Sequence, residues 1–420
     1  MKAAEINKII KCEESFKMPD IVMNSLLSDP TEMFNSFMLV GESLDHDWFT
    51  EYFEEEHANK TKMAQDFTPP EVCKLLGRLI GGASVIGDIC SGTGGLTIGA
   101  WNNNRGAKFF CYEYSERAIP LLLFNLCIRN TEAYVCRCDL LTGEEFEYYH
   151  VSHTAGQYGQ VEKIDEFPPV SCDVCISNPP YSLKYQAKED TRFTEYAGMI
   201  SSQYADYMFV AFALSILKTQ GKAVFILPHG VLFRANKEAA FRKKIIEDGT
   251  LKYIIGLPDK LFINTDIPTL ILGLQKDGFK NGVFFIDAKD EFEKNRNKNR
   301  LTNENIEKIY RVLDEGVDVE RFAHWADGRQ LRENDYNLNI PRYVDTFVPE
   351  ELPDFAELMG ELATLELQAI EEEYKLCKMI SQLEGTTKQV DDRLKKGLKI
   401  YQKTLTNHKD EFVQQVINFG

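Results

Sequence analysis

Short apolar runs alternate with segments of helical period through the middle of this chain. The runs lie at residues 83–90, 107–112, 133–138, 172–177, 221–228, 251–257 and 267–274. Strands that alternate with helices are typical of a mostly parallel sheet covered on both faces. The sequence therefore predicts a doubly wound α/β domain whose last clear strand is 267–274. Residues 140–171 have no clear period and are predicted to form an insertion loop.

One of these runs ends abruptly at Asn178-Pro179-Pro180-Tyr181. The prolines fix φ and donate no hydrogen bond to a sheet, so the chain leaves the strand stiffly. Ligands of open α/β sheets bind at the carboxyl ends of the strands. We expect the Asn178 amide and a backbone carbonyl to accept both N–H bonds of a planar, amino-bearing substrate, while Tyr181 stacks on its face. The alternative is that Asn178 is only a turn residue before proline.

A glycine-rich turn follows the first strand, which ends at Asp88, and a helix follows the turn. The turn consists of Ser91, Gly92, Thr93, Gly94 and Gly95. Its glycines let the backbone approach a ligand closely and open a helix N-terminus. The next two strands end at Glu113, which can accept both hydroxyls of a ribose, and at Asp139, which can accept from an adenine amino group. Three consecutive strands ending in acids predict an adenosine-type cofactor.

The residues before the first strand predict helices. Residues 1–60 alternate apolar patches with acidic clusters, and we expect two or three helices that cap the main domain and have no chemical role. In the next segment Thr68 is the predicted N-cap of a helix, with Pro69 at its first position and Glu71 completing a capping box.

The charge balance bears on the partners of the protein. The formal net charge of the 420 residues is −17. A protein that binds DNA by itself usually carries a basic face. Either this chain does not touch nucleic acid, or its contact is local and a partner supplies most of the phosphate contacts. The basic cluster at residues 294–300 fits a phosphate contact or a solvated loop.

The ten cysteines are scattered, and most lie within apolar runs, which predicts reduced, buried thiols in a cytoplasmic protein. The pairs Cys136/Cys138 and Cys172/Cys175 lie in predicted strands without matching zinc-spaced ligands, so no metal site is predicted. No apolar run reaches about 18 residues, and the N-terminus has no secretory h-region, so no membrane association is expected.

Residues 178–181 resemble the Asn-Pro-Pro-Tyr motif of S-adenosylmethionine-dependent amino-methyltransferases. Residues 65–70, 88–95 and Glu113 resemble the cofactor motifs of that superfamily, in the order used by one class of DNA adenine-N6 methyltransferases. With two further stretches, 285–302 and 335–343, the likeness is to the methylation (M) subunit of type I restriction–modification systems.

The chain departs from this family in three places. Asp88-Ile89-Cys90 stands where Asp-Pro-Ala is usual. In the stretch that is commonly Gly-Gln-Tyr-Phe-Thr-Pro, Ala64 replaces the glycine and Asp66 the tyrosine. The N-terminal helical region is shortened to about 60 residues.

The resemblance implies a Rossmann-like class I methyltransferase fold at 61–345, between a helical cap at 1–60 and a helical region for partner contact at 346–420. It implies methyl transfer from S-adenosylmethionine to N6 of a flipped adenine in DNA, without a metal. The implied catalytic residues are Asn178, Pro179, Pro180 and Tyr181, with Phe233 as a second stacking ring. The implied cofactor-binding residues are Gln65, Asp66, Phe67, Thr68, Pro69, Pro70, Asp88, Ser91, Gly92, Thr93, Gly94, Gly95, Glu113 and Asp139.

The implied partners are DNA, a specificity (S) subunit, a second M subunit and a restriction (R) subunit. Two other functions stay open, because protein glutamine N5-methyltransferases also carry Asn-Pro-Pro-Tyr and a scaffold can keep the fold without the reaction. Apolar residues recur with helical period between Leu358 and Tyr374, which fits either packing within the chain or contact with a partner helix.

Overall fold

The structure, a computed structural model, describes residues 3–12, 14–40, 43–50, 52, 68–184, 191–262, 267–279, 282–295, 298–347 and 354–419. The chain divides into two compact units, residues 1–346 and residues 347–420.

Within the described residues, the first unit contains one large sheet and a separate short hairpin. The strands of the large sheet are β1 (Val85–Ile89), β2 (Lys108–Glu113), β3 (Glu132–Asp139), β4 (Glu144–Ser152), β5 (Gln160–Ile164), β6 (Cys172–Ser177), β7 (Leu217–Pro228), β8 (Leu251–Gly256), β9 (Thr269–Gln275), β10 (Val283–Asp287) and β13 (Ala323–Ala326). The hairpin consists of β11 (Glu293–Asn295) and β12 (Lys298–Arg300).

Helices cover the sheet and precede it. Those described in the first unit are α1 (Ala3–Ile10), α2 (Met18–Leu26), α3 (Thr31–Leu39), α4 (Pro70–Ile80), α5 (Gly95–Trp101), α6 (Ile119–Ile128), α7 (Asp206–Ile216), α8 (Lys237–Glu247), α9 (Asn303–Glu315) and α10 (Gly328–Glu333). Those of the second unit are α11 (Phe355–Ile380) and α12 (Lys388–Phe419).

The order of the strands defines where a ligand can bind. Among the described residues the sheet runs β13-β10-β8-β9-β7-β6-β1-β2-β3-β4-β5, and β7, β6, β1, β2 and β3 are parallel neighbours. Strand β9 lies antiparallel between β7 and β8. The predicted doubly wound, mostly parallel fold is confirmed. Chain order reverses between β1 and β6, and ligands of such folds bind at the carboxyl ends of the strands on either side of that reversal.

Helix α6 joins the N-terminal helices to the sheet. Every residue from Ile119 to Ile128 is buried, because α6 has the sheet on one side and the N-terminal segment on the other. The Phe124 ring centroid lies 5.1 Å from that of Phe34, 4.7 Å from that of Phe37 and 5.0 Å from that of Phe49. Edge-on aromatic contacts of this kind stabilise packing beyond simple area burial.

Two predictions about strands were wrong. The region 140–171 is not a loop, because β4 pairs antiparallel with β3, and β5 pairs with β4. Exposed charged residues at the start of β4 hide its period, since an edge extension has little core to face. Nor is β9 the last strand, because β10 and β13 extend the other edge of the sheet.

The predicted capping box at Thr68 was also wrong. The N-cap of α4 is Pro69, and no side chain caps the helix. The Thr68 hydroxyl instead accepts a hydrogen bond from the Asn178 amide, 110 residues away in sequence. A residue chosen for its capping propensity therefore contacts the predicted catalytic motif.

The second unit is a pair of long helices, and its apolar residues divide into two sets. Ile370, Cys377 and Leu405 form a small buried cluster between α11 and α12. Leu358, Leu362 and Leu365, one helical face of α11, are 48%, 52% and 61% exposed. Packing within the chain thus accounts for only part of the apolar pattern. No helix within the described ranges has the length and apolar character needed to cross a membrane.

Candidate active site

Asn178 follows the last residue of β6, at the reversal point of the sheet. The Ser177 hydroxyl donates to the Ile89 carbonyl and so ties the end of β6 to the end of β1. Pro179 and Pro180 then carry the chain away from the sheet without needing ladder partners for their nitrogens. Asn178 is half-buried, and Tyr181 is 9% exposed. The motif is a rigid corner at the edge of the ligand crevice.

Hydrogen bonds hold the Asn178 amide at both ends. Its nitrogen donates to the Thr68 hydroxyl at 2.9 Å, and its oxygen accepts from the Tyr181 hydroxyl at 2.7 Å. The amide thus lies with its nitrogen toward Thr68 and its oxygen toward Tyr181. A carboxamide oriented in this way presents its oxygen as the acceptor on the side of Tyr181.

The glycine-rich turn takes a conformation that suits ligand approach. The Gly94 amide donates to the Ser91 carbonyl at 2.9 Å, and Gly94 has φ of 97°, in the left-handed region. This backbone conformation favours glycine, and a Cβ there would also lie 2.9 Å from Leu122 Cδ1, which would have to shift. Cys90, in the departure from the family pattern, also has positive φ, 65°.

Glu113 is a buried carboxylate at the end of β2. Its oxygens accept from the backbone N–H groups of Gly92 and Ser115, both at 2.7 Å. Burial raises the pKa of Glu113, while the hydrogen bonds from Ser115 and Gly92 oppose the rise. The carboxylate thus links the second strand to the glycine-rich turn.

Thr68, the glycine-rich turn with Glu113, and the Asn178 motif meet in one cavity, although 110 residues separate Thr68 from Asn178. Ten of the predicted site residues line it: Thr68, Ser91, Gly92, Thr93, Gly95, Glu113, Asn178, Pro179, Pro180 and Tyr181. Three residues that the sequence analysis did not select line it as well: Thr50, Cys90 and Leu96. Cys90 and Leu96 flank the glycine-rich turn, so proximity to the motif was a usable signal for them. Thr50 lies in the N-terminal segment, where no motif pointed to it.

Other predicted site residues lie outside the lining of this cavity. Asp88 is fully buried beneath the turn, where its Oδ2 accepts from the Thr97 hydroxyl at 2.5 Å and its Oδ1 has no hydrogen-bond partner. Burial raises the pKa of Asp88 to about 7, and the negative charge of Glu113 adds to the rise. Asp139 accepts from the Leu141 amide at 2.9 Å in a local turn.

The remaining predicted residues fall into four groups. Gly94 belongs to the turn but does not line the cavity, and Pro69 and Pro70 begin α4. The Phe233 side chain is 50% exposed. The predicted cofactor residues Gln65, Asp66 and Phe67 lie outside the described residues.

The chemistry of the site is that of oxygen acceptors and an aromatic ring. Among the described residues, no three His, Cys, Asp or Glu side chains are grouped so that they could hold a metal ion. All ten cysteines are free thiols. The cavity combines a glycine turn and carboxylate suited to a ribose with an amide and a ring suited to a planar amine.

A strand-reversal site with these motifs defines a class I S-adenosylmethionine-dependent methyltransferase fold. Residues 46–351 match the family model of N-6 DNA Methylase. This match covers more than half of the chain, and the protein therefore belongs to the N-6 DNA methylase family.

Two similar proteins are both described as methylase subunits of type I restriction enzymes. The chain is 29% identical over 311 residues to the type I restriction enzyme MpnII methylase subunit of Mycoplasma pneumoniae, covering 70% of this chain and 55% of that protein. It is 31% identical over 365 residues to the MjaVII methylase subunit of Methanocaldococcus jannaschii, covering 81% of this chain and 58% of that protein. The chain thus spans somewhat more than half the length of these relatives.

A solved structure of a protein with this description has a similar fold. The type I restriction–modification system methyltransferase subunit from Streptococcus thermophilus superposes with a TM-score of 0.62 at 29% identity, covering 81% of this chain and 75% of that one.

Proposed function

We propose that this protein transfers a methyl group from S-adenosylmethionine to N6 of adenine in DNA, as the methylation subunit of a type I restriction–modification system. One observation carries the proposal. The Asn178 amide, held between Thr68 and Tyr181, lines the same cavity as the glycine-rich turn and Glu113. An acceptor for an amine thereby lies next to a site that suits an adenosine-type cofactor.

The residues present fit S-adenosylmethionine. The Glu113 carboxylate would accept from the ribose hydroxyls, and the turn from Ser91 to Gly95 would lie against the methionine and sugar portions. Gly94, whose Cβ would meet Leu122, lets this turn lie close to α6. The cofactor supplies a methyl group that its sulfonium already makes electrophilic, so the protein needs no nucleophile of its own.

The work of the protein is then to orient the amine. The Asn178 oxygen and the Pro179 carbonyl would accept the two N6 hydrogen bonds, which localises the nitrogen lone pair and directs it toward the methyl group. The proline pair makes this corner stiff, so little reorganisation is needed when the base enters. Tyr181 would stack on the purine, and the half-exposed Phe233 is proposed as a second ring.

The adenine must leave the duplex to reach this cavity. Flipping a base costs a few kcal/mol. Stacking on an aromatic side chain returns roughly 1–3 kcal/mol per base. The Tyr181 ring, placed beside the amide by its own hydroxyl, supports this step.

We propose that other subunits supply DNA recognition. A net charge of −17 is unfavourable for gripping DNA without help, so a specificity subunit would provide most of the phosphate contacts. The exposed leucines of α11 form an apolar row suited to a helix of that subunit. A second methylation subunit and a restriction subunit would complete the assembly, which we place in the cytoplasm.

The experiment is transfer of a labelled methyl group. The chain, alone and with its specificity subunit, is incubated with labelled S-adenosylmethionine and either host DNA or a protein substrate with a glutamine acceptor. The expected result is N6-methyladenine in DNA that requires the specificity subunit. Labelled protein glutamine instead would support an N5-methyltransferase.

The matched control is Asn178→Ala, checked for folding by thermal melting and for retained binding of the cofactor. It should lose transfer while still binding S-adenosylmethionine. Unchanged adenine methylation in host DNA with this variant would contradict the proposal.

A further inference from the structure

The N-terminal segment before Tyr52 is bonded directly to the glycine-rich turn. Both oxygens of the Asp47 carboxylate take part. Oδ2 accepts from the hydroxyls of Thr93 at 2.5 Å and Thr50 at 2.8 Å. Oδ1 accepts from the Asn125 side chain at 2.7 Å and from the Phe49 amide at 3.0 Å. Four donors from three parts of the chain thus converge on one side chain.

Two of these partners belong to the cofactor cavity. Thr50 and Thr93 both line it, and Thr93 is almost fully buried. The Asn125 side chain, on α6, also donates to the Thr93 carbonyl at 2.8 Å. The hydroxyl and the carbonyl of Thr93 are therefore held by Asp47 and Asn125.

A buried guanidinium fixes the segment that carries Asp47. Arg129 donates to the carbonyls of Leu44 at 2.9 Å and His46 at 2.8 Å. It also donates to the Asn125 carbonyl and side-chain oxygen, both at 2.9 Å. Burial lowers the pKa of Arg129 to about 10, so the group stays charged at neutral pH. The segment, α6 and the turn form one hydrogen-bonded unit.

We propose that Asp47 is a positioning residue that sets the glycine-rich turn at Thr93 for cofactor binding, while Thr50 completes the wall of the cavity. The proposal rests on the proposed function, because it assumes that the turn binds S-adenosylmethionine. Only a carboxylate accepts all four donors, and hydrogen bonds to an ionised acceptor are the stronger kind. The N-terminal segment, for which we expected no chemical role, would thereby act on the active site.

The test compares Asp47→Ala and Asp47→Asn with Asp45→Ala. Asp45 lies two residues earlier, and its side chain, 66% exposed, pairs with His46 rather than with the turn. Binding of S-adenosylmethionine is measured by calorimetry, and turnover with saturating cofactor and DNA by label transfer. We expect Asp47→Ala to weaken cofactor binding about tenfold or more, with kcat within about threefold of wild type. The cofactor affinity of Asp47→Asn should lie between those of Asp47→Ala and wild type, and that of Asp45→Ala should equal that of wild type.

A double variant separates positioning from general stability. If Asp47 acts through Thr93, Asp47→Ala combined with Thr93→Val should bind the cofactor no worse than Asp47→Ala alone. The inference would be overturned if the losses of cofactor affinity in the two single variants added fully in the double variant. It would also be overturned if Asp47→Ala were less stable but bound the cofactor with wild-type affinity. Should Asp47→Ala not fold, wild-type affinity in Asp47→Asn would overturn it. A wild-type protein that binds no S-adenosylmethionine would instead refute the proposed function itself.

Discussion

The Tyr181 hydroxyl donates a 2.7 Å hydrogen bond to the Asn178 side-chain oxygen, so the last residue of the motif orients the first. The ring that we expect to stack on the base therefore also supports the amide that we propose to bind its amino group. Two functions of one side chain can be separated by substitution, because phenylalanine keeps the ring and loses the donor.

Replacing Tyr181 should reveal both roles. Tyr181→Phe loses one hydrogen bond, worth roughly 0.5–1.5 kcal/mol, and should lower kcat by about two- to tenfold. Tyr181→Ala also loses roughly 1–3 kcal/mol of stacking and should lower kcat by about 10²-fold or more. Single-turnover methyl transfer measures both. Equal losses in the two variants would mean that the ring does not stack.

Thr68 should matter through its hydroxyl. It accepts from the Asn178 nitrogen at 2.9 Å, so Thr68→Val leaves that N–H without this acceptor and frees the amide to rotate. We expect kcat to fall about tenfold. Thr68→Ser keeps the hydroxyl and is the matched control, with kcat within about threefold of wild type. A valine variant as active as the serine variant would show that Thr68 does not orient the amide.

Glu113→Gln should weaken cofactor binding. The carboxylate accepts from two backbone amides, whereas a carboxamide must turn an NH₂ group toward one of them. We expect the dissociation constant of S-adenosylmethionine to rise at least tenfold, because loss of a charged acceptor is costly at a buried site. Glu116→Gln, at an exposed position three residues later, is the control. Equal affinity in both variants would exclude a ribose contact at Glu113.

Asp88 should make stability depend on pH. Burial raises the pKa of Asp88 in the folded protein to about 7, above its usual 3.8, so folding favours the protonated form. Its contribution to stability is therefore lost as pH rises from about 4 to 7. Relative to Asp88→Asn, wild type should lose roughly 2 kcal/mol of unfolding free energy between pH 5.5 and pH 8. Urea melts at both pH values measure this difference, and a pH-independent gap would contradict it.

The exposed face of α11 should bind a partner. Changing Leu358, Leu362 and Leu365 to glutamate places charges in the apolar row and should abolish co-purification with the specificity subunit. Binding of S-adenosylmethionine should stay unchanged, because the cofactor cavity belongs to the other unit. Thr364→Glu with Gln368→Glu, at exposed polar positions of the same helix, is the control. If the triple variant still co-purified with the specificity subunit, this face would be excluded as its binding site.

Much of the fold and of the site was readable from local patterns. Buried parallel strands are continuous apolar runs, so β1, β2, β3, β6 and β7 were all predicted close to their observed bounds. Strand β4, which lies between β3 and the edge strand β5, was missed because the exposed charged residues at its start interrupt any apolar run. The glycine-rich turn and the Asn178 corner were found because their chemistry is contained in a few consecutive residues.

Tertiary structure decided which side chains share a cavity. The hydrogen bonds of Thr68 to Asn178 and of Asp47 to Thr93 span 110 and 46 residues, and no periodicity encodes a partner at such a distance. Thr50 reached the cavity for the same reason. The amino-acid order alone determined the alternation of elements and the stiff exit at Asn178, since both follow from local backbone preference. The pairing of the N-terminal segment with the turn follows from how both pack against α6, which only the folded chain specifies.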